Sequence, residues 1–283
     1  MNLPESNGLP INTLAACFND TSATYKYYWL LSILQQLEAG NVKMVKNELF
    51  ARMLSNAWYT VNYFNVSFGK QDLIQDTIFA INNIEPITID EKRASVYSKL
   101  IQSQNTQTAK LLRHFDKQVP HWFLSPWYPK INNETYAQRK KRIYNSSRNY
   151  ENSPPYKLDK EFIEINPKWI DYLVSNAGIL KDYCFWNLAL FLQKRNPNVP
   201  DIPNKLFKPA TRNSLTSQRE KFWDIVLDDL GSINCIYTGK ELTKGNYAVE
   251  HFIPHSFVSH DFIWNLIPAD KSFNSSKSNK LQY

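Results

Sequence analysis

The chain has 283 residues, of which 43% are hydrophobic and 14% aromatic, and this composition excludes a largely disordered protein. Its 7 glycines are too few for a typical all-β architecture rich in tight turns, which favours a helical body. The 33 lysines and arginines exceed the 26 acidic residues, giving a net charge of +7. That charge suits a polyanionic partner such as nucleic acid, but a merely basic surface explains it equally well.

Cysteine usage and hydropathy indicate a cytoplasmic protein. Cys17, Cys184 and Cys235 are too far apart in the sequence to suggest a disulfide framework or a paired metal knuckle. The N-terminus lacks a basic segment followed by an apolar run, and no stretch approaches the ~18 apolar residues of a membrane span. We therefore expect neither a signal peptide nor contact with a membrane.

Apolar residues recur at helical spacing through the first 115 residues. The pattern predicts helices over 24–39, with Gly40 as the C-cap, and over 42–64, 71–81 and 90–115. Residues 118–155 contain five prolines and are predicted to be a connecting region without regular structure.

A basic cluster lies inside this connecting region. It consists of Arg139, Lys140, Lys141, Arg142 and Arg148, with no acidic residue between them. One interpretation is a strip that contacts phosphates, and the other is a solvated basic loop or helix face.

Helical signals return after residue 165. Asn166 and Pro167 predict an N-cap and a first helical residue, and 180–193 is apolar on most faces, which predicts that Trp186 packs in the core. Residues 196–209 are predicted to be a proline-rich linker, and Ser217 with Glu220 predicts a capping box for a helix through 227. The predicted organisation is a helical body over 1–205, with possible lobes at 1–117 and 156–205, and a separate module over 206–283.

The composition changes after residue 230, where three of the five histidines and three of the seven glycines are found. A strand is predicted over 247–249, ending in Glu250 and His251, followed by a second strand over 263–267 and a helix over 271–280.

Three short segments in this region resemble the HNH endonucleases, which belong to the ββα-metal or His-Me finger nucleases. They are Glu250-His251-Phe-Ile-Pro254, Trp264-Asn265-Leu266-Ile-Pro268 and Asn274-Ser-Ser-Lys277-Ser-Asn279-Lys280. The resemblance covers 233–281 and implies that this module is a ββα-metal finger. Because apolar spacing predicts a helical body before it, the predicted fold class is mainly α with a small C-terminal ββα-metal finger.

The resemblance also implies a role for each residue of the pattern. His251 is expected to act as the general base that activates water, while Glu250 and Asn274 hold one Mg²⁺ or Mn²⁺ ion through oxygen atoms. Asn265 is expected to fix the loop and the orientation of His251. Lys277 and Lys280 are expected to contact phosphates.

Two departures from the family pattern affect these expectations. Glu250 stands where many relatives have Asp, which keeps the charge but adds a methylene. Only Cys235 remains of the two Cys-x-x-Cys pairs that bind structural zinc in many relatives, so no structural zinc is expected. Cys235 is instead predicted to pack as a small apolar residue, and the finger to be held by Tyr237, Trp264, Leu266 and Phe273. His255 and His260 are interpreted as surface or loop histidines, and contact with the metal or with phosphate is the alternative.

The predicted function is metal-dependent hydrolysis of phosphodiester bonds in DNA, with RNA a less favoured substrate. Residues of the helical body would select the target or a protein partner, and the resemblance suggests a restriction or anti-phage system. Two alternatives remain: a nucleic-acid-binding or regulatory protein whose finger is not catalytic, and an RNA-cleaving toxin.

Overall fold

The computed structural model describes residues 3–207 and 213–277, and the chain forms two compact units. The first unit is residues 1–196 and the second is residues 197–283. The segment after Asn196 therefore groups with the C-terminal unit, whereas the sequence pattern suggests a boundary at 205. Within the described ranges, no helix combines the length and apolar character that crossing a bilayer requires.

The first unit is mainly helical. Its α-helices are α1 (Ile11–Ala15), α2 (Tyr25–Glu38), α3 (Lys46–Asn62), α4 (Leu73–Asn82), α5 (Arg93–Gln102), α6 (Thr106–His114), α7 (Pro120–Phe123), α8 (Tyr136–Arg148), α9 (Pro167–Ser175) and α10 (Ala177–Arg195). Short 3₁₀ turns, Ala16–Phe18 and Phe115–Lys117, follow α1 and α6.

A small antiparallel sheet completes the first unit. Its strands β1 (Lys43–Val45), β2 (Tyr156–Leu158) and β3 (Phe162–Ile165) pair in the order β1-β3-β2. Met44 and Leu158 both lie opposite Ile163, and all three side chains are buried. Because directly opposite residues share one face of a sheet, the register places these three apolar side chains together.

Helix α2 lies at the centre of the core. Ten of its fourteen residues are buried, and it packs against α3, α9 and α10. The Trp29 indole N–H donates to the Tyr156 hydroxyl at 2.9 Å, and that hydroxyl donates to the Pro120 carbonyl at 2.7 Å. The two aromatic side chains thus bury large apolar areas while their polar atoms stay paired.

Several predicted helix ends are confirmed. Helix α2 ends at Glu38, and Gly40 follows with the left-handed φ of +83° that suits glycine after a helix. The Asn166 side chain accepts a hydrogen bond from the Lys168 N–H, and Pro167 is the first residue of α9.

Two predicted helices are wrong in their extent. The segment 42–64 starts as strand β1, because pairing with β3 holds it extended, and α3 begins only at Lys46. The segment 90–115 is divided into α5 and α6, since the Asn105 side chain accepts from the Gln107 N–H and caps a new helix.

The prediction that the region 118–155 lacks regular structure is wrong, because the region contains α7 and α8. Pro120 is the first residue of α7, where its missing N–H removes no helical hydrogen bond. Helix α8 begins with a capping box in which Thr135 and Gln138 bond each other's backbone N–H groups. The prolines therefore lie outside α8 and do not interrupt it.

Two predictions about single side chains are also wrong. Trp186 is 56% exposed on α10, so it does not pack in the core. The helix predicted to start at Ser217 begins at Thr216, which places Ser217 inside it, and the Ser214 hydroxyl accepts from the Thr216 N–H at 3.3 Å. The predicted capping box of Ser217 and Glu220 therefore does not form.

The second unit alternates short helices with two-stranded sheets. Its elements are α11 (Ile202–Phe207), α12 (Thr216–Gln218), a π-helical turn (Arg219–Trp223), α13 (Asp224–Leu230), β4 (Ile233–Asn234), β5 (Glu241–Leu242), β6 (Ala248–His251), α14 (His255–Val258), a 3₁₀ turn (Ile263–Asn265), β7 (Leu266–Ala269) and α15 (Lys271–Lys277). The predicted helix over 271–280 is described as far as Lys277, and its last three residues lie outside the described ranges.

A small core holds the second unit together. The buried side chains at its centre are those of Leu227, Cys235, Leu242, Tyr247 and Ala269. Cys235 thus packs as a small apolar residue. Tyr237 stacks on Phe273 with ring centroids 4.5 Å apart, in agreement with the packing role predicted for both. The same role predicted for Trp264 is wrong, because its side chain is 65% exposed.

Candidate active site

Strands β6 and β7 pair antiparallel, with Glu250 opposite Ile267 and His251 opposite Leu266. The predicted second strand is displaced, because Ile263–Asn265 form a 3₁₀ turn before β7 begins at Leu266.

Asp270 immediately precedes α15 and caps its first turn, since the Asp270 carboxylate accepts a hydrogen bond from the Phe273 N–H at 3.0 Å. Hydrogen bonds, first from the Ser272 hydroxyl, lower the pKa of Asp270 to about 2, so the cap is ionised at neutral pH.

His251 lies at the end of β6 and is held by a carboxylate that the sequence analysis missed. Its Nε2 is 2.8 Å from Oδ1 of Asp261, and the two side chains are 8% and 14% exposed. Because an ionised carboxylate can only accept a hydrogen bond, Nε2 carries the proton and the lone pair of the neutral ring resides on Nδ1. Asp261 is in an irregular loop, so neither periodicity nor a short motif marks it.

A second histidine lies beside this pair. The ring of His255 is buried, with its centroid 5.3 Å from that of His251, and its Nε2 is 3.9 Å from the same Asp261 oxygen. His255 is therefore not the surface residue that the sequence suggested. The Asp261 carboxylate therefore lies next to the imidazole rings of both His251 and His255.

Asn265 fixes the chain immediately after His251. Its Oδ1 accepts from the Ile253 N–H and its Nδ2 donates to the Ile253 carbonyl, both at 2.8 Å. Its own carbonyl accepts from the Phe252 N–H at 2.8 Å. Because Asn265 is 1% exposed and both ends of its amide are engaged, it holds the loop that follows His251.

Glu250 forms a buried ion pair with Lys277 of α15. The Lys277 ammonium donates to Oε1 of Glu250 at 2.8 Å and to the His251 carbonyl at 2.6 Å. The two side chains are 0% and 11% exposed, respectively. This burial disfavours the phosphate contact predicted for Lys277, since its ammonium faces the protein. Lys280 lies outside the described residues.

Asn274 is on the same helix as Lys277, three residues earlier. Residues at that spacing share one face of a helix, so Asn274 lies on the side of α15 that meets Glu250. The described residues contain no group of three or more His, Cys, Asp or Glu side chains that could hold a metal. A carboxylate and an amide oxygen nevertheless fit Mg²⁺, which takes few protein ligands and fills its remaining positions with water and phosphate oxygens.

All five members of the basic cluster lie on α8, and the four at 139–142 divide into two pairs. Arg142 makes a two-pronged ion pair with Glu134, at 2.7 and 2.8 Å. Arg139 donates to the Tyr128 carbonyl at 3.0 Å, so both arginines are engaged within the protein. Lys140 and Lys141 instead line a pocket.

Comparison with known proteins finds a family model that matches the C-terminal segment. Residues 235–283 match the family model described as HNH endonuclease, and this match lies entirely within the second unit. No curated protein and no solved structure matches the chain. The C-terminal module is therefore related to nucleases, whose substrates are nucleic acids. The segment that matches contains Glu250, His251, Asn265 and Asn274.

Proposed function

We propose that the protein is a metal-dependent endonuclease that hydrolyses phosphodiester bonds in DNA. The observation that carries the proposal is the His251–Asp261 pair, which lies inside the matched segment and beside Glu250. The proposed role in a restriction or anti-phage system rests on the family resemblance alone.

His251 is the proposed general base. Asp261 accepts from Nε2, which leaves Nδ1 to take a proton from the attacking water. A neutral imidazole suits this step because its unprotonated ring nitrogen can accept a proton from water. Asn265 supports the arrangement by holding Phe252 and Ile253, the residues that follow His251 in the chain.

Glu250 and Asn274 are the proposed ligands of one Mg²⁺ or Mn²⁺ ion. When bound, such an ion compensates the negative charge that develops on the phosphate and the leaving oxygen. Lys277 has a positioning role, because its ammonium fixes one oxygen of Glu250 and leaves Oε2 without that bond. The proposed centre thus brings together the end of β6 and one face of α15.

Asp261→Asn is expected to lower kcat by about 10- to 100-fold with little change in KM, because a carboxamide no longer selects one tautomer of His251. The ¹⁵N chemical shifts of the histidine rings report the tautomer directly. In the wild type they should show a protonated Nε2 and an unprotonated Nδ1 for His251, and Asp261→Asn should mix the two forms.

Asp261→Glu is the conservative variant, and it should recover part of the lost rate because it restores the acceptor. Asp229→Asn, an exposed change in the same unit, should leave both the rate and the ¹⁵N shifts unchanged. A single, unaltered tautomer in Asp261→Asn would show that Asp261 does not orient His251.

Asn274→Ala is expected to weaken Mn²⁺ binding about tenfold or more, which corresponds to about 1.4 kcal/mol, because it removes an oxygen ligand. Titration calorimetry of the full chain measures this affinity without any nuclease assay. Asn246→Ala, in an exposed turn of the same unit, is the matched control. Equal Mn²⁺ affinity in the wild type and in Asn274→Ala would exclude Asn274 as a ligand.

The substrate class is tested with labelled DNA and RNA oligonucleotides of the same sequence, incubated with the full chain in Mg²⁺ or Mn²⁺. We expect cleavage of DNA that stops when EDTA is added. Cleavage of RNA alone would favour a toxin nuclease, and binding without cleavage of either would favour a non-catalytic module. Both results would overturn the proposal.

A further inference from the structure

A pocket of about 480 Å³ lies beside helix α8 in the first unit. Its lining includes Tyr136, Lys140, Lys141, Tyr144, Lys160 and Asp116. Tyr136, Lys140 and Tyr144 recur every four residues and so form one column on the helix surface. Lys160 follows strand β2, so the basic cluster seen in the sequence is joined here by a lysine from another element.

The pocket carries an excess of positive charge. Its one acidic side chain, Asp116, is 2.8 Å from the ammonium of Lys46, which also donates to the Tyr144 hydroxyl at 2.8 Å. In the part of the chain that the structure describes, neither Lys140, Lys141 nor Lys160 forms an ion pair with a carboxylate. Three ammonium groups therefore remain uncompensated around one cavity.

The buried ring of His121 lies next to two tyrosines that line the pocket. His121 is 0% exposed, and its ring lies 6.1 Å from Tyr136 and 6.2 Å from Tyr144, between centroids. Burial, followed by the positive charge of Lys140, lowers the pKa of His121 to about 3. The imidazole is therefore neutral at physiological pH, and the positive charge of the pocket comes from its lysines.

The arginines and the lysines at 139–142 differ in what their side chains contact. Arg139 and Arg142 are engaged by backbone carbonyls and by Glu134, as described above. Among the residues that the structure describes, Lys140 and Lys141 form no ion pair with a carboxylate, and both line the cavity together with aromatic rings. The Tyr136 side chain is 53% exposed. Ammonium groups for phosphates and aromatic rings for bases are the two elements by which proteins bind single-stranded nucleic acid without sequence preference.

We propose that this pocket holds a nucleotide unit of single-stranded DNA, with phosphate oxygens at the three lysines and a base or sugar against Tyr136. The inference deepens the proposed function, on which it rests for the choice of DNA as the ligand. It assigns the first unit a direct part in holding the substrate strand.

The test uses the full chain carrying His251→Ala, so that binding is measured without cutting. Fluorescence anisotropy with labelled oligothymidylate gives the dissociation constant between about 50 and 200 mM salt. Lys140→Gln, Lys141→Gln and Lys160→Gln are combined in one variant. The matched control combines Lys70→Gln, Lys168→Gln and Lys194→Gln, which removes three exposed lysines from the same unit.

The pocket variant should bind the oligonucleotide at least about tenfold more weakly at low salt. The slope of log K against log salt should fall by about 2, since each single-strand phosphate contact contributes about 0.7. The control should change affinity less than about twofold. Equal losses in the two variants would overturn the proposal, because only net charge would then matter.

Competition with thymidine monophosphate separates a strand-binding pocket from a site for free nucleotides. The proposal predicts that millimolar monophosphate displaces little oligonucleotide. Displacement at micromolar concentration would overturn it in favour of a mononucleotide site. Because these measurements use an inactive chain, they stand even if the wild type shows no nuclease activity.

Discussion

His251→Ala is expected to lower the rate of DNA cleavage by about 10²- to 10⁴-fold, the usual contribution of a positioned general base. The ring of His251 is fixed on one side by Asp261 at 2.8 Å, and the Asn265 side chain holds the backbone that follows it, so the imidazole is already positioned for the step. His255 is the nearest imidazole, but its Nε2 is 3.9 Å from the Asp261 oxygen, which is too long for the hydrogen bond that orients His251.

The rate is measured under single-turnover conditions with a short labelled duplex and saturating Mn²⁺. His114→Ala, which changes a histidine of α6 in the first unit, should keep the wild-type rate. Because His251 is buried, unfolding must be separated from loss of the base, and added imidazole should restore part of the rate to His251→Ala. A variant that cleaves within threefold of the wild type would show that His251 is not the base.

Lys277→Met is expected to destabilise the second unit by about 3 kcal/mol, because it leaves a buried carboxylate without its partner. Lys277 is fully buried, and its ammonium bonds both Glu250 and the His251 carbonyl. Because methionine retains most of the volume of the lysine stem, the loss of stability measures the contribution of the charge and the hydrogen bonds of Lys277. Hydrogen exchange of peptides that cover 248–269 measures the local free energy of opening.

A matched lysine in the same unit provides the control. Lys240 pairs with Asp270 at 3.1 Å, but the Lys240 side chain is 60% exposed, so Lys240→Met should cost less than about 1 kcal/mol. Combining Glu250→Gln with Lys277→Met removes the unpaired charge and should recover much of the stability. A loss below 1 kcal/mol in Lys277→Met alone would contradict the structural importance of the pair.

Glu250, His251, Asn265 and Asn274 could be selected as candidate site residues from the sequence, because each lies in a short local motif. The partners of those residues could not. Asp261 follows His251 by ten residues in an irregular loop, and only the turn of the chain after α14 returns it to the imidazole. Lys277 was predicted to contact phosphate because its charge is visible in the sequence, whereas its burial depends on the packing of α15 against β6.

The errors in the first unit have a related cause. Strand β1 was assigned to a helix because its apolar spacing continues into α3, and only pairing with the distant β3 makes it extended. Helix α8 was missed because nearby prolines dominated the local signal, although the Thr135 and Gln138 capping box marks its start. Local signals identified helix ends well where one side chain acts on its own backbone, as at Asn166.

The central claim is that the second unit hydrolyses phosphodiester bonds with His251 as the base. Its most direct test is nicking of supercoiled plasmid DNA by the purified full chain in Mn²⁺, measured beside a sample with excess EDTA and beside His251→Ala. We predict nicking by the wild type alone and none in the other two samples. Equal nicking by the wild type and His251→Ala, or nicking that persists in EDTA, would contradict the account.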